Sequence, residues 1–279
     1  MQSKLVLKRF EFVRHTWFLV LAVGLAIFVA MDAAFIITLN PRLLPTVLLL
    51  GASLIPATFV IYVYQRVQAR EVPLSALATV AFLGGALGLL VAGLLEYATL
   101  RQLGIFRLLG VGLIEESAKL IFPLVVYFRG HYRSEADGLL FGVASGMSFS
   151  AMESMGYGLA AFLQNNGGIG ALEETLLLRG LLAPIGHAAW TGLVCAVIWR
   201  ERQRAGHMTL NLAVAAAFLT AVLLHTSWDT LGSLTSRLSI TWVGFDFAGL
   251  AVVGTLSLAL LIWRMRKAGV RHPLHAHGG

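Results

Sequence analysis

Residues 108–128 read LLGVGLIEESAKLIFPLVVYF, an apolar run long enough to cross a bilayer, with Glu115, Glu116 and Lys119 near its middle. Charge at that depth is costly unless it is paired or hydrated, so such residues mark a functional site. Glu115 and Lys119 are four apart and share one helix face, where they can pair. Glu116 points about 100° away around the helix. Pro123 has no N–H to give the Lys119 carbonyl, so the run also carries a freed backbone acceptor one turn beyond the charges.

The rest of the chain has the same character. Of its 279 residues 58% are hydrophobic and only 13% charged, against about 25% charged in soluble domains. An ordinary soluble protein is excluded. Apolar runs predict spans at about 17–39, 43–65, 74–96, 108–128, 138–163, 180–199, 209–231 and 244–263. The expected fold is all-α: a single membrane-embedded domain over 1–279 with about eight transmembrane helices and a motif-bearing core at 108–231. The first run is too long for a signal peptide and is expected to be retained. A single cysteine, Cys195, excludes an internal disulfide and any multi-cysteine zinc module.

Lys and Arg alternate between loops. Lys4, Lys8, Arg9, Arg14, Arg66, Arg70, Arg129, Arg133, Arg200, Arg202, Arg204, Arg264, Arg266, Lys267 and Arg271 fall on one side, while Arg42, Arg101, Arg107, Arg179 and Arg237 fall on the other. The positive-inside rule makes the first side cytoplasmic, with both termini there, in the cytoplasmic membrane. Trp17, Trp199 and Trp263 read as interfacial anchors on that side. Topology thus accounts for the net charge of +7, and no nucleic-acid partner is expected. Glu96 and Tyr97 read as an interfacial helix end. Asp32 is ambiguous between a site residue and an internal hydrogen-bonding group. Gly84 with Gly88, and Gly138, Gly142 and Gly146 in series, are spaced for close helix packing. The polar stretch from Gln164 to about Arg179 is expected to form an outer loop with a short amphipathic segment.

Other spans carry polar residues too. Phe149, Glu153 and Tyr157 form one stripe, His187 and Thr191 another, and His225 and Asp229 a third, in which the carboxylate can orient the imidazole. At 1.5 Å of rise per residue, Glu116, Glu153, His187 and His225 lie roughly 13, 14, 12 and 9 Å from the outer helix ends. They converge on one polar chamber in the outer half of the bilayer. Such a chamber suits hydrolysis: it offers a carboxylate to activate water, and imidazoles as donors or metal ligands. No serine lies in a nucleophile motif, and the H-E-x-x-H zinc signature is absent.

Four motifs together resemble the PrsW family of intramembrane proteases, within the wider grouping of CAAX-processing and Abi proteases. They are Glu115-Glu116-x-x-Lys119, Phe149-x-x-x-Glu153 with Tyr157, His187-x-x-x-Thr191, and His225 followed by Trp228-Asp229. In the wider grouping the second motif typically ends in His; Glu153 at that place favours the PrsW branch. The resemblance implies an endopeptidase that cleaves a membrane-protein substrate near its extracytoplasmic side, such as an anti-sigma-factor-like single-span protein. In that frame Glu115 or Glu116 is the general base and Lys119 tunes the pair. Glu153 contributes polar or ligand contacts, and His187 and His225 act as oxyanion donors or metal ligands, with Asp229 orienting His225. A divalent metal such as zinc, held by His187, His225 and Glu116 or Glu153, is one form of this site; glutamate and water alone is the other. A proton- or ion-coupled transporter and a non-catalytic binding or immunity protein are the rival readings.

Overall fold

A computed structural model describes residues 15–67, 72–235 and 243–269. Lys4, Lys8, Arg9, Arg14, Arg70, Arg237 and Arg271 lie outside the described residues. Within them every regular element is helical: α1 (Thr16–Thr38), α2 (Leu44–Arg66), α3 (Leu74–Thr99), α4 (Arg107–Arg129), α5 (Glu135–Gln164), α6 (Ile169–Leu182), a π turn (Pro184–Ala188), α7 (Ala189–Ala205), α8 (Leu212–Thr235) and α9 (Val243–Gly269). Two short 3₁₀ turns join α3 to α4.

Among the described residues, six helical runs are long and apolar enough to cross a membrane: Thr16–Thr38, Leu44–Arg66, Leu74–Gln102, Ile169–Ala205, Leu212–Ser233 and Ala248–Ala268. The chain is an integral, all-α membrane protein. The two other long helices are α4, with its central charged triplet, and α5.

The α5 helix is the axis of the fold, packed against α2, α3, α6 and α7. A reciprocal capping box starts it: the Ser134 hydroxyl accepts from the Asp137 amide at 3.1 Å, and Asp137 Oδ2 accepts from the Ser134 amide at 2.9 Å. Its glycines then bring α7 into backbone contact. A Cβ on Gly142 would lie 2.6 Å from the Thr191 carbonyl oxygen, and one on Gly138 would lie 2.7 Å from that of Cys195. Gly84 on α3 leaves the same kind of room for Ser145. Cys195 is buried in this core.

Two expectations are corrected. Trp199 is fully buried, its indole N–H donating to the Tyr132 carbonyl at 3.0 Å, so it is a core residue and not an interfacial anchor. Of the stretch from Gln164 to about Arg179 only residues 165–168 form a loop, with Asn166 and Gly167 at positive φ; the segment that follows is part of one long helical run from Ile169 to Ala205. Pro184 interrupts the α-helical bonding there. The Ala188 amide donates instead to the carbonyl of Ala183, five residues back, at 3.2 Å. That wider turn carries His187.

Candidate active site

The charged triplet of α4 divides its two carboxylates between different surroundings. Lys119 Nζ is buried, 3.0 Å from Glu115 Oε2 and 2.9 Å from Glu116 Oε1, with the Phe149 ring centroid 4.5 Å away. Glu116 is fully enclosed: Oε1 also meets His225 Nδ1 at 2.9 Å, and Oε2 accepts from the Thr191 hydroxyl at 3.3 Å. Glu115 keeps a 7% exposed edge and lines a cavity of about 980 Å³. The carbonyl that Pro123 leaves free also finds a partner, since Ser145 Oγ donates to Lys119 O at 2.7 Å.

Side chains from α3, α5, α6, the π turn and α8 share that cavity wall with Glu115. His225 sits flat against Trp190, with centroids 4.7 Å apart and planes 21° apart, and Trp190 is itself pinned by a 2.9 Å hydrogen bond to Ser257. With Nδ1 on Glu116, Nε2 of His225 is left 3.4 Å from Asp229 Oδ2 and 3.6 Å from Glu115 Oε2. His187 packs between Phe149 and Trp190, its Nε2 3.5 Å from Glu153 Oε2. The stripe of Phe149, Glu153 and Tyr157 faces the cavity along its whole length. All seven residues singled out in the sequence therefore meet in one place.

Ligand atoms of Glu115, Glu153 and His187 lie within 4.8 Å of one another, which sets this trio apart among the described residues as a group able to hold a metal ion. Two carboxylates and an imidazole are a donor set that zinc accepts. The chemistry fits in a second respect: buried His187 Nδ1 has no hydrogen-bond partner, and Glu153 Oε2, ion-paired with Arg179 at 2.7 Å, accepts no aligned hydrogen bond. The set differs from the ligands expected on sequence. The trio has Glu115 where the sequence pointed to Glu116, whose oxygens meet Lys119, His225 and Thr191, and it omits His225, whose Nδ1 meets Glu116 and whose Nε2 lies 3.6 Å from Glu115 Oε2.

Glu96 and Arg179 are among the cavity residues that escaped the sequence reading. Glu96, read as a helix end, is on the wall with Oε1 buried and unpartnered. Arg179, assigned to the outer loop, reaches in to place Nη2 2.7 Å from Glu153 Oε2. The available signal was the helix phase: Glu96, inside the predicted span 74–96, shares a face with Leu89, Ala92 and Gly93, and Arg179 falls one residue before the predicted span 180–199. Asp32 lies on α1, apart from the residues that line the cavity.

A helical membrane protein with a buried acid and imidazole chamber has the parts of an intramembrane hydrolase. The defining pattern of the PrsW family of intramembrane metalloproteases matches residues 72–262, and the chain belongs to that family. The match runs from the start of α3 into α9 and includes every residue of the site described above. No curated protein and no solved structure matches the chain.

Proposed function

We propose that this intramembrane protease cleaves a single-span membrane protein near its extracytoplasmic side, with Glu115 as the base that activates water. The observation that carries the reading is the division between the two glutamates. Glu116 is spent on buried partners, while Glu115 faces the cavity within ligand distance of Glu153 and His187.

Glu115, Glu153 and His187 are the residues that would hold a divalent metal such as zinc. A metal bound there supplies Lewis acidity that polarises a carbonyl and acidifies water. A carboxylate has two oxygens, so Glu115 can hold an ion on one and accept a proton on the other. Lys119 fixes Glu115 against the helix and compensates its charge. As water oxygen attacks the peptide carbonyl carbon, Glu115 takes the water proton. Collapse of the tetrahedral adduct breaks the C–N bond, and His225 Nε2 gives a proton to the departing amine. The 3.6 Å separation of His225 Nε2 from Glu115 lets the proton return and reset both groups. Glu116 and Asp229 hold the imidazole in the orientation this needs.

The basic residues support the extracytoplasmic assignment. Arg66, Arg129, Arg200, Arg202, Arg204 and Arg264 lie at or near helix ends opposite to the cavity-lining ends of α3, α4 and α5. An anti-sigma-factor-like protein is a substrate of the required form.

The test is cleavage of a single-span substrate in proteoliposomes by folded E115Q, E153Q and H187A variants. Each is expected to lose activity. Full cleavage by E115Q and H187A would sink the assignment.

A further inference from the structure

The steps above leave Arg179 without a task, yet the fold draws it from α6 onto the α5 face of the site. Its Nη2 stands 2.7 Å from Glu153 Oε2, its Nε donates to Ser154 Oγ at 3.1 Å, and its guanidinium carbon lies 4.0 Å from the centre of the Tyr157 ring. Charge pairing, a hydrogen bond and a stack fix the guanidinium in position and plane together, as a planar fork can and an ammonium cannot.

The contact with Glu153 is an ion pair without an aligned hydrogen bond, because buried Oε2 has no hydrogen-bond donor. Arg179 therefore compensates the carboxylate from one side, and a carboxylate oxygen carries a second lone pair for another partner. The same oxygen faces His187 Nε2 at 3.5 Å. His187 belongs to the helical run that carries Arg179, just beyond Pro184. Anchoring that run to α5 through Arg179 sets how closely His187 approaches Glu153.

We propose that Arg179 is a positioning residue: it holds Glu153 against His187 so that these two and Glu115 converge as a cation site. The inference rests on the assignment of that trio under Proposed function.

The sign of one measurement separates this from a general charge effect. Coulomb's law alone says that removing a cation beside a divalent site tightens binding. Loss of positioning weakens it, and changes to outer partners of ligands typically cost about 10- to 100-fold in metal affinity. The experiment titrates the full-length protein in detergent with Co²⁺, reading affinity from the visible spectrum. R179Q is expected to weaken binding by about 10- to 100-fold and R179K by about 10-fold, because lysine keeps the charge but loses the fork. R107Q removes another cavity-lining cation and serves as the charge control, with affinity unchanged or raised. Binding by folded R179Q as tight as that of the unaltered protein overturns the inference. Should R179Q fail to fold, unchanged binding by R179K overturns it instead. Undiminished Co²⁺ binding by E153Q and H187A overturns the trio itself, whatever Arg179 does.

Discussion

His225 on α8 and Glu116 on α4 meet at 2.9 Å through Nδ1 and Oε1, and this contact closes the buried side of the chamber. It leaves Nε2 as the ring nitrogen that faces Asp229 and Glu115. One carboxylate, Glu116, thus orients the imidazole, and the one just before it in the chain, Glu115, meets the cavity.

The two glutamates should fail differently when changed. E116Q is expected to lower kcat/KM by about 100-fold or more through a misplaced proton donor, yet to keep Co²⁺ binding. E115Q should lose both. Parallel cleavage and Co²⁺ titrations decide it, and loss of metal by E116Q as complete as that by E115Q contradicts the division of roles.

Asp229 should matter less than Glu116. Its carboxylate is 29% exposed and 3.4 Å from a ring whose other nitrogen is already held. D229N is expected to cost about 10-fold in kcat/KM, at the low end for an orienting partner. Steady-state kinetics on a single-span substrate measure it, and a loss as deep as that of E116Q would make Asp229 the principal orienter.

Ser145 and Pro123 are coupled through one carbonyl. S145A leaves the buried Lys119 carbonyl without its donor and is expected to cost about 1–2 kcal/mol. P123A restores an amide N–H to the same carbonyl, so S145A should cost less in that background. A double-mutant cycle on unfolding in detergent tests this, and strict additivity is the contrary result.

The contact between α5 and α7 has no room for a methyl group at Gly142, where a Cβ meets backbone atoms at 2.6 and 2.9 Å. G142A is expected to lower stability by about 1–3 kcal/mol, as overpacking does. G156A, at a site with nothing within 4 Å, is the neutral comparison. Thermal unfolding of the two variants side by side reads the difference.

Much of this was legible in the chain. Apolar length fixes helices as the spanning elements, because backbone polar groups in lipid must be satisfied internally. The i, i+4 spacings of Glu115 with Lys119, of Phe149 with Glu153 and Tyr157, and of His225 with Asp229 put each set on one face, and the residues share a depth. The Lys119 carbonyl was readable as an acceptor freed by Pro123. Its donor, Ser145, was not, since a bond between residues 26 apart depends on how two helices cross.

The sequence by itself determined which residues could not face lipid and roughly how deep they lie, since charge and hydropathy act locally along a helix. Only the tertiary structure decided which carboxylate faces the cavity, how the π turn at Pro184 aims His187, and that Glu96 and Arg179 belong to the site. Those outcomes depend on helix rotation and crossing, which packing at Gly138, Gly142 and Gly146 sets and which no spacing within a single helix contains.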